Sequence, residues 1–246
     1  EVGNLFQLLM LDTRSIYRDK QLNIDNYFEG ETFNKSKYSK DLSLDRKLIG
    51  IEQMLWIKKN LNKNFKWSII GQQVLMAQVF LPSLFGNMNK KILPEYLDKY
   101  LKLGGANVPY NTDAWDGYPK ERERIFRELK KANSVLVLTG DTHNSWLNNL
   151  YDKKNNFIGV EIGTPAISSP NTVDTFGSLT QQIEKDLIEE NKNVKWTEGT
   201  HKGYTLLKLT KDKCETCFIY VSTVKSKVYK VIDKNRFEIK SNTPLI

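Results

Sequence analysis

The chain has 246 residues, 39% of them hydrophobic and 27% charged, a balance that suits a globular core and excludes collagen, coiled coil and bulk disorder. No apolar run approaches the roughly 20 residues of a membrane-spanning helix, and no charged stretch followed by an apolar one opens the chain as a secretion signal would. Lys and Arg outnumber Asp and Glu by 37 to 29, a net charge of +8 that favours anionic partners. The lysines are spread along the chain without the basic stripe and interleaved aromatics of a dedicated nucleic-acid groove.

Leu5 to Leu11 is an apolar run ending in Asp12-Thr13-Arg14, which predicts a buried strand delivering polar residues at its C-terminal end. The next thirty or so residues are polar and aperiodic and read as loop. From Asp45 the pattern turns helical, with Leu48, Ile51 and Leu55 on one stripe and Lys58 and Lys59 where cations suit the helix dipole. Trp67 to Gly71 predicts a second core strand, followed by Gln72 and Gln73. Pro82, Pro94, Pro109, Gly86, Gly104, Gly105 and Gly117 mark 81–118 as a loop-rich insertion with one helix near Glu95 to Leu103. Pro119 opens a helix striped by Ile125 and Leu129, which feeds the clearest strand, Ser134 to Thr139. Phe157 to Ile162 reads as a further strand and Gln181 to Asn191 as an acidic helix. Tyr204 to Leu209, Phe218 to Val224 and Val228 to Ile232 read as an antiparallel tail by their alternation. Strands that alternate with helices and end in polar residues predict a single α/β layered domain, whose sites gather beyond the carboxyl ends of the strands.

Chemistry has few places to reside. There are two histidines, His143 and His201, and His143 is the better candidate because Gly140-Asp141-Thr142-His143 brings a carboxylate and an imidazole out together after a buried strand. Zinc, manganese, iron and calcium all accept that oxygen-plus-nitrogen pairing. The alternative is that Asp141 caps the following segment while His143 packs. The two cysteines, Cys214 and Cys217, supply at most half a zinc site and read as thiols in or beside a strand, or as one local disulfide.

Leu11-Asp12-Thr13-Arg14, Gly71-Gln72-Gln73-Val74, Pro109 to Pro119 (PYNTDAWDGYP), Val135 to Trp146 (VLVLTGDTHNSW), Gly159 to Pro170 (GVEIGTPAISSP) and His201-Lys202-Gly203-Tyr204 resemble, in order and spacing, the alkaline phosphatase D-like family of metallophosphoesterases. The resemblance covers residues from near 1 to about 210. It implies a calcineurin-like βαβ sandwich, with mixed sheets flanked by helices, holding a site of two or more metal ions that hydrolyses phosphate mono- and diesters with a metal-activated water. By it, Asp141 and His143 are the last metal-ligand motif. A carboxylate in the first position hardens the site and favours Ca²⁺ with Fe³⁺ or Zn²⁺, with no organic cofactor. Arg14 is either a phosphate clamp or an ion-pair partner of Asp12 or Asp116. Asn144 reaches a phosphoryl oxygen or caps the next turn. Asp116 and Tyr118 lie near substrate by the resemblance, whereas the Trp115 and Tyr118 rings read as packing anchors. Gln72 and Gln73 stand where relatives elsewhere in the superfamily keep a histidine ligand, and an amide oxygen replaces imidazole poorly.

The family's first ligand motifs stand upstream of the Asp-Thr-Arg strand, and before Asp12 this chain has only eleven residues, none of them Asp or His. Residues 1–246 therefore read as the C-terminal part of one catalytic domain, with the N-terminal half as its partner beside the phosphoester substrate. Half a metal site binds poorly, so the chain is expected to be inactive alone. The resemblance also implies a periplasmic or secreted protein. The rival reading is a non-catalytic anion-binding or interaction module derived from such an enzyme.

Overall fold

The first apolar run forms a strand, β1 (Phe6–Met10), whose alternate residues face opposite ways: Gln7 and Leu9 are buried while Leu8 and Met10 are exposed. The computed structural model describes residues 1–88 and 97–246. After β1 come a two-residue hairpin, β2 (Phe28–Glu29) and β3 (Thr32–Phe33), and then α1 (Lys35–Leu42), α2 (Gly50–Asn60), β4 (Trp67–Gly71) and α3 (Asp98–Leu101). The central run is α4 (Pro119–Leu129), β5 (Val135–Thr139), β6 (Ser145–Tyr151) and β7 (Phe157–Gly163). The chain ends with α5 (Thr172–Phe176), α6 (Thr180–Glu190), β8 (Val194–Glu198), β9 (Lys202–Leu209), β10 (Lys213–Val221) and β11 (Val231–Lys240).

Six strands form one mixed sheet in the order β1-β4-β5-β7-β6-β8, in which β1, β4, β5 and β7 run parallel and β6 is antiparallel to both neighbours. One face packs Leu9, Ile70 and Val137 against Ile57 of α2, Ile125 and Leu129 of α4 and Ile183 and Leu187 of α6. The other packs Trp67, Ile69, Leu136, Val160 and Ile162 against Cys214, Phe218, Tyr220 and Ile239 of the antiparallel sheet β11-β10-β9. The expected layered α/β sandwich is thus present, with mixed sheets and helices on one side.

Several boundaries differ from the sequence reading, each for a local reason. The helix expected from Asp45 starts at Gly50, because the Leu48 and Ile49 amides donate instead to the buried Glu121 carboxylate and Gly50 turns the chain at φ 73°. Of the helix expected at 95–103, Asp98–Leu101 is helical, while Glu95 and Pro94 lie outside the described residues. The stretch expected to be loop contains α1, of which only Tyr38 is buried. β6, α5 and β8 had no counterpart in the reading, and the last strand runs to Lys240 while Val228 to Tyr229 is loop. Cys214 and Cys217 are both free thiols. They are three apart on β10, hence on opposite faces of the strand, which corrects the alternative of a local disulfide.

Candidate active site at the carboxyl ends of β1, β4 and β5

Beyond β5 the chain turns through Gly140 into two successive left-handed positions on either side of Thr142, Asp141 at φ 66° and His143 at φ 64°. The Thr142 amide donates to the Gly140 carbonyl at 2.7 Å, which tightens the turn. Asp and His are among the few non-glycine residues that occupy this region with any frequency, and holding it requires support from the surroundings. For His143 that support is the Pro170 carbonyl oxygen, 2.6 Å from Nδ1. An Nδ1–H bonded there fixes the tautomer and leaves Nε2 with its lone pair free.

Asp141 is held from β1. Arg14 bridges two carboxylates, with Nη2 at 2.6 Å from Asp141 Oδ2 and Nη1 at 2.5 Å from Asp113 Oδ2, and Arg18 pairs with the other oxygen of Asp113. Burial opposes the charge on Arg14, but the two carboxylates hold its pKa above the ordinary value. The expected ion pair of Arg14 with Asp12 or Asp116 is replaced by this Asp113–Arg14–Asp141 chain. Asp12 instead accepts the Arg14 and Ser15 amides, both at 2.8 Å, in an Asx-type turn.

The other sequence candidates are engaged within the fold. Asn144 is buried, donates from Nδ2 to Thr172 Oγ1 at 2.7 Å and accepts the Thr172 amide, so it fastens the start of α5. Asp116 is buried against Arg122 and accepts the Val79 amide at 2.8 Å. Tyr118 is 1% exposed, with its hydroxyl donating to the Asp19 carbonyl at 2.6 Å. Trp115 is fully buried and bonds Gln72 Oε1 through Nε1 at 3.2 Å. Gln73 Oε1 accepts from the Thr13 amide at 2.9 Å and its hydroxyl at 2.6 Å, tying the ends of β1 and β4 together. The glycine of Trp115-Asp116-Gly117-Tyr118 has a steric reason, since any Cβ on Gly117 would overlap the Thr112 carbonyl oxygen. Gly117→Ala should therefore cost about 2–4 kcal/mol, read as a fall in thermal midpoint of about 5–10 °C by circular dichroism.

His201, the second histidine, is on the same rim: Nδ1 lies 2.8 Å from Glu198 Oε1, and its carbonyl accepts from Asn171, next to the Pro170 that holds His143. Asp113 was missed as the hub of the arginine pair. Its only signal was its place in the Asn-Thr-Asp run ahead of Trp115.

A cleft of about 690 Å³ opens beside these residues, with Arg14 and Asp141 at its polar end and Leu8, Met10, Ile162 and Leu207 along its walls. It lies between β1 and β9, the edge strands of the two sheets, so the sandwich is unfilled on that flank. In the parallel ladder Trp67 donates to Leu5 and Leu11 donates to Gly71, so the amides and carbonyls of Leu8 and Met10 point away from β4 and have no strand beside them among the described residues. Their side chains, 44% and 64% exposed, leave apolar surface at the same edge.

As a metal site the chain offers two donors. Among the described residues no group of three or more histidine, cysteine or carboxylate side chains converges on one point, and one oxygen of Asp141 is committed to Arg14. Nε2 of His143 and the second carboxylate oxygen of Asp141 are the donor atoms this loop leaves uncommitted, and two donors do not complete a coordination sphere.

The model of PhoD-like phosphatases matches residues 1–218. The chain belongs to that family. It is 32% identical over 216 residues to alkaline phosphatase D of Bacillus subtilis (strain 168), an alignment covering 85% of this chain and 31% of that protein. It superposes on the solved structure of PhoD with a TM-score of 0.70 at 26% identity, covering 97% of this chain and 40% of that one. The chain thus spans about a third of the curated relative and two fifths of the solved structure. No helix among the described residues is long and apolar enough to cross a membrane.

Proposed function

We propose that this chain is the C-terminal part of a metal-dependent phosphatase or phosphodiesterase domain, and that its own residues contribute Asp141 and His143 to a metal site completed by an N-terminal segment. The observation that carries the reading is the Gly140–His143 loop, where two non-glycine residues, one on each side of Thr142, are held in left-handed conformations and buttressed from separate segments by Arg14 and Pro170. Strain of this sort persists where a constellation of side chains must be presented in one arrangement. The cations, Ca²⁺ with Fe³⁺ or Zn²⁺, would polarise the phosphoryl group and activate water. Within the chain, Pro170 fixes the His143 tautomer, Asp113 holds Arg14 in place, and the Arg14 guanidinium binds phosphoryl oxygens beside Asp141. Asn144, Asp116 and Tyr118 act one layer behind, by holding the loops that frame substrate.

The N-terminal segment would sit at the open flank of β1 and β9, two strand edges that have no further strand beside them among the described residues, around an apolar cleft. Chromogenic phosphodiester hydrolysis is the test. With the metals present, the chain alone should turn over substrate no faster than buffer, and the added N-terminal half should restore turnover. Robust hydrolysis by the isolated chain would show that no complement is needed, and an inert completed domain would overturn the hydrolase reading. The second reading, a non-catalytic anion-binding module, is favoured by one observation, the pairing of Asp141 with Arg14 in place of a third ligand.

A further inference from the structure

The β10–β11 connection lies beyond the family match, which ends at residue 218, and has a composition unlike the rest of the surface. From Thr216 to Ile232 the sequence contains Lys225, Lys227 and Lys230 and no carboxylate. Among the described residues none of the three lysines is in an ion pair. Beside them the loop displays Val224, Val228 and Tyr229, followed by Val231 and Ile232 at the base of β11, all exposed, with Val228 at 83%. Apolar side chains in a surface loop are ordinarily turned inward or diluted by polar ones. Here a short neck prevents that: the Ser222 amide donates to the Lys230 carbonyl at 2.8 Å, and the Lys230 amide to Ser222 Oγ at 3.0 Å. The Ser226 hydroxyl accepts the Val228 amide at 3.1 Å, closing a turn at the tip.

The charge of the loop also reaches the neighbourhood of the site. Lys202 at 2.6 Å, the Asn171 amide and, at longer range, Lys225 hold the Asp174 carboxyl below its ordinary value. Asp174 is in the first turn of α5, whose N-terminal lead-in, Pro170, carries the hydrogen bond to His143.

We infer that the Ser222–Lys230 hairpin docks the protein on an anionic lipid bilayer, with the three lysines on the headgroups and Val228 and Tyr229 inserted at the interface. Charge complementarity selects this occupant. Lysines alternating with exposed aliphatic and aromatic side chains on a tied loop match an interface that is negatively charged outside and apolar beneath. A soluble polyanion would use the lysines and leave the apolar residues idle. The inference is independent of the hydrolase reading, because vesicle binding needs no turnover.

The test is co-sedimentation of the chain with phosphatidylcholine vesicles, with and without about one third phosphatidylglycerol, over a salt series. The expected result is binding to the anionic vesicles on the order of a hundredfold above the neutral ones, from three lysines at about fivefold each, and weakening with salt. The Lys225→Gln/Lys227→Gln/Lys230→Gln variant should lose that preference. Val228→Ser/Tyr229→Ser, at unchanged charge, should weaken binding about tenfold. Melting curves of both variants should match the parent, since every altered side chain is at the loop surface. Equal binding to neutral vesicles, parental binding by either variant, or heparin bound as tightly as anionic vesicles would overturn the inference.

Discussion

Replacing His143 by alanine in the completed domain should lower phosphodiester turnover about 10³-fold while the melting midpoint falls by only about 2–5 °C, the cost of an alanine at a left-handed position and of the lost bond to Pro170. The size follows from the several kcal/mol of transition-state charge stabilisation that a fixed cation supplies, at about 1.4 kcal/mol per tenfold in rate. The small structural cost follows from the side chain's position. His143 is half-buried, and its one hydrogen bond, to the Pro170 carbonyl, ends at a rim that solvent reaches. Steady-state kinetics of the variant, together with binding of inorganic phosphate, separate the two readings of the site. If phosphate binding survives and turnover was never present, the chain is an anion-binding module. If turnover is lost with the metal, the histidine is a ligand.

The second large effect concerns stability. Glu161 is fully buried in the middle of β7, where its carboxylate accepts the Met76 amide at 2.5 Å, the Ala77 amide at 3.0 Å and Asn148 Nδ2 at 2.9 Å. Asn148 lies opposite it on β6, so one acid joins two strands to the loop that follows β4. That loop in turn accepts Trp115 at the Leu75 carbonyl. Glu161→Ala strands three buried donors and should cost roughly 3–5 kcal/mol, a drop in thermal midpoint of about 10 °C. Burial pushes the Glu161 carboxyl up from 4.5 to about 7 against those three bonds. Between these values the folded chain holds a proton that the unfolded chain has released, so stability falls as pH rises through the interval and levels off above about 7. Measured against Glu161→Gln, which does not titrate, the decline should be on the order of 3 kcal/mol across that window. A difference that stays flat between pH 4.5 and 7 would show that the hydrogen bonds keep the acid ionised throughout.

The parts of the fold that could be read from the sequence are those whose burial follows a simple period. β4, β5 and β7 are apolar because they are covered on both faces or nearly so, β1 carries an apolar run although its Leu8 and Met10 face stays exposed, and α4 and α6 carry clear stripes. β6 was illegible because its centre is Asn148-Asn149, two polar residues that become core only by meeting Glu161 and the backbone of Leu245 from distant segments. α1 has one buried residue and no stripe to read. The same division runs through the site. Asp141, His143 and Arg14 stood out because each follows a buried strand, and the structure brings Arg14 and Asp141 into contact. Asp113 did not stand out, since its importance is a contact with residues 95 and 99 positions earlier.

The left-handed backbone at positions 141 and 143 also restricts what can evolve there. Only a short list of side chains, chiefly glycine, asparagine, aspartate and histidine, occupies that region readily, and β-branched residues are excluded on steric grounds. Under the proposed metal site, a lineage that alters its cation preference is therefore confined at these two places to exchanges among oxygen and imidazole donors of short reach. A glutamate or a cysteine would gain different chemistry only by first rebuilding the turn.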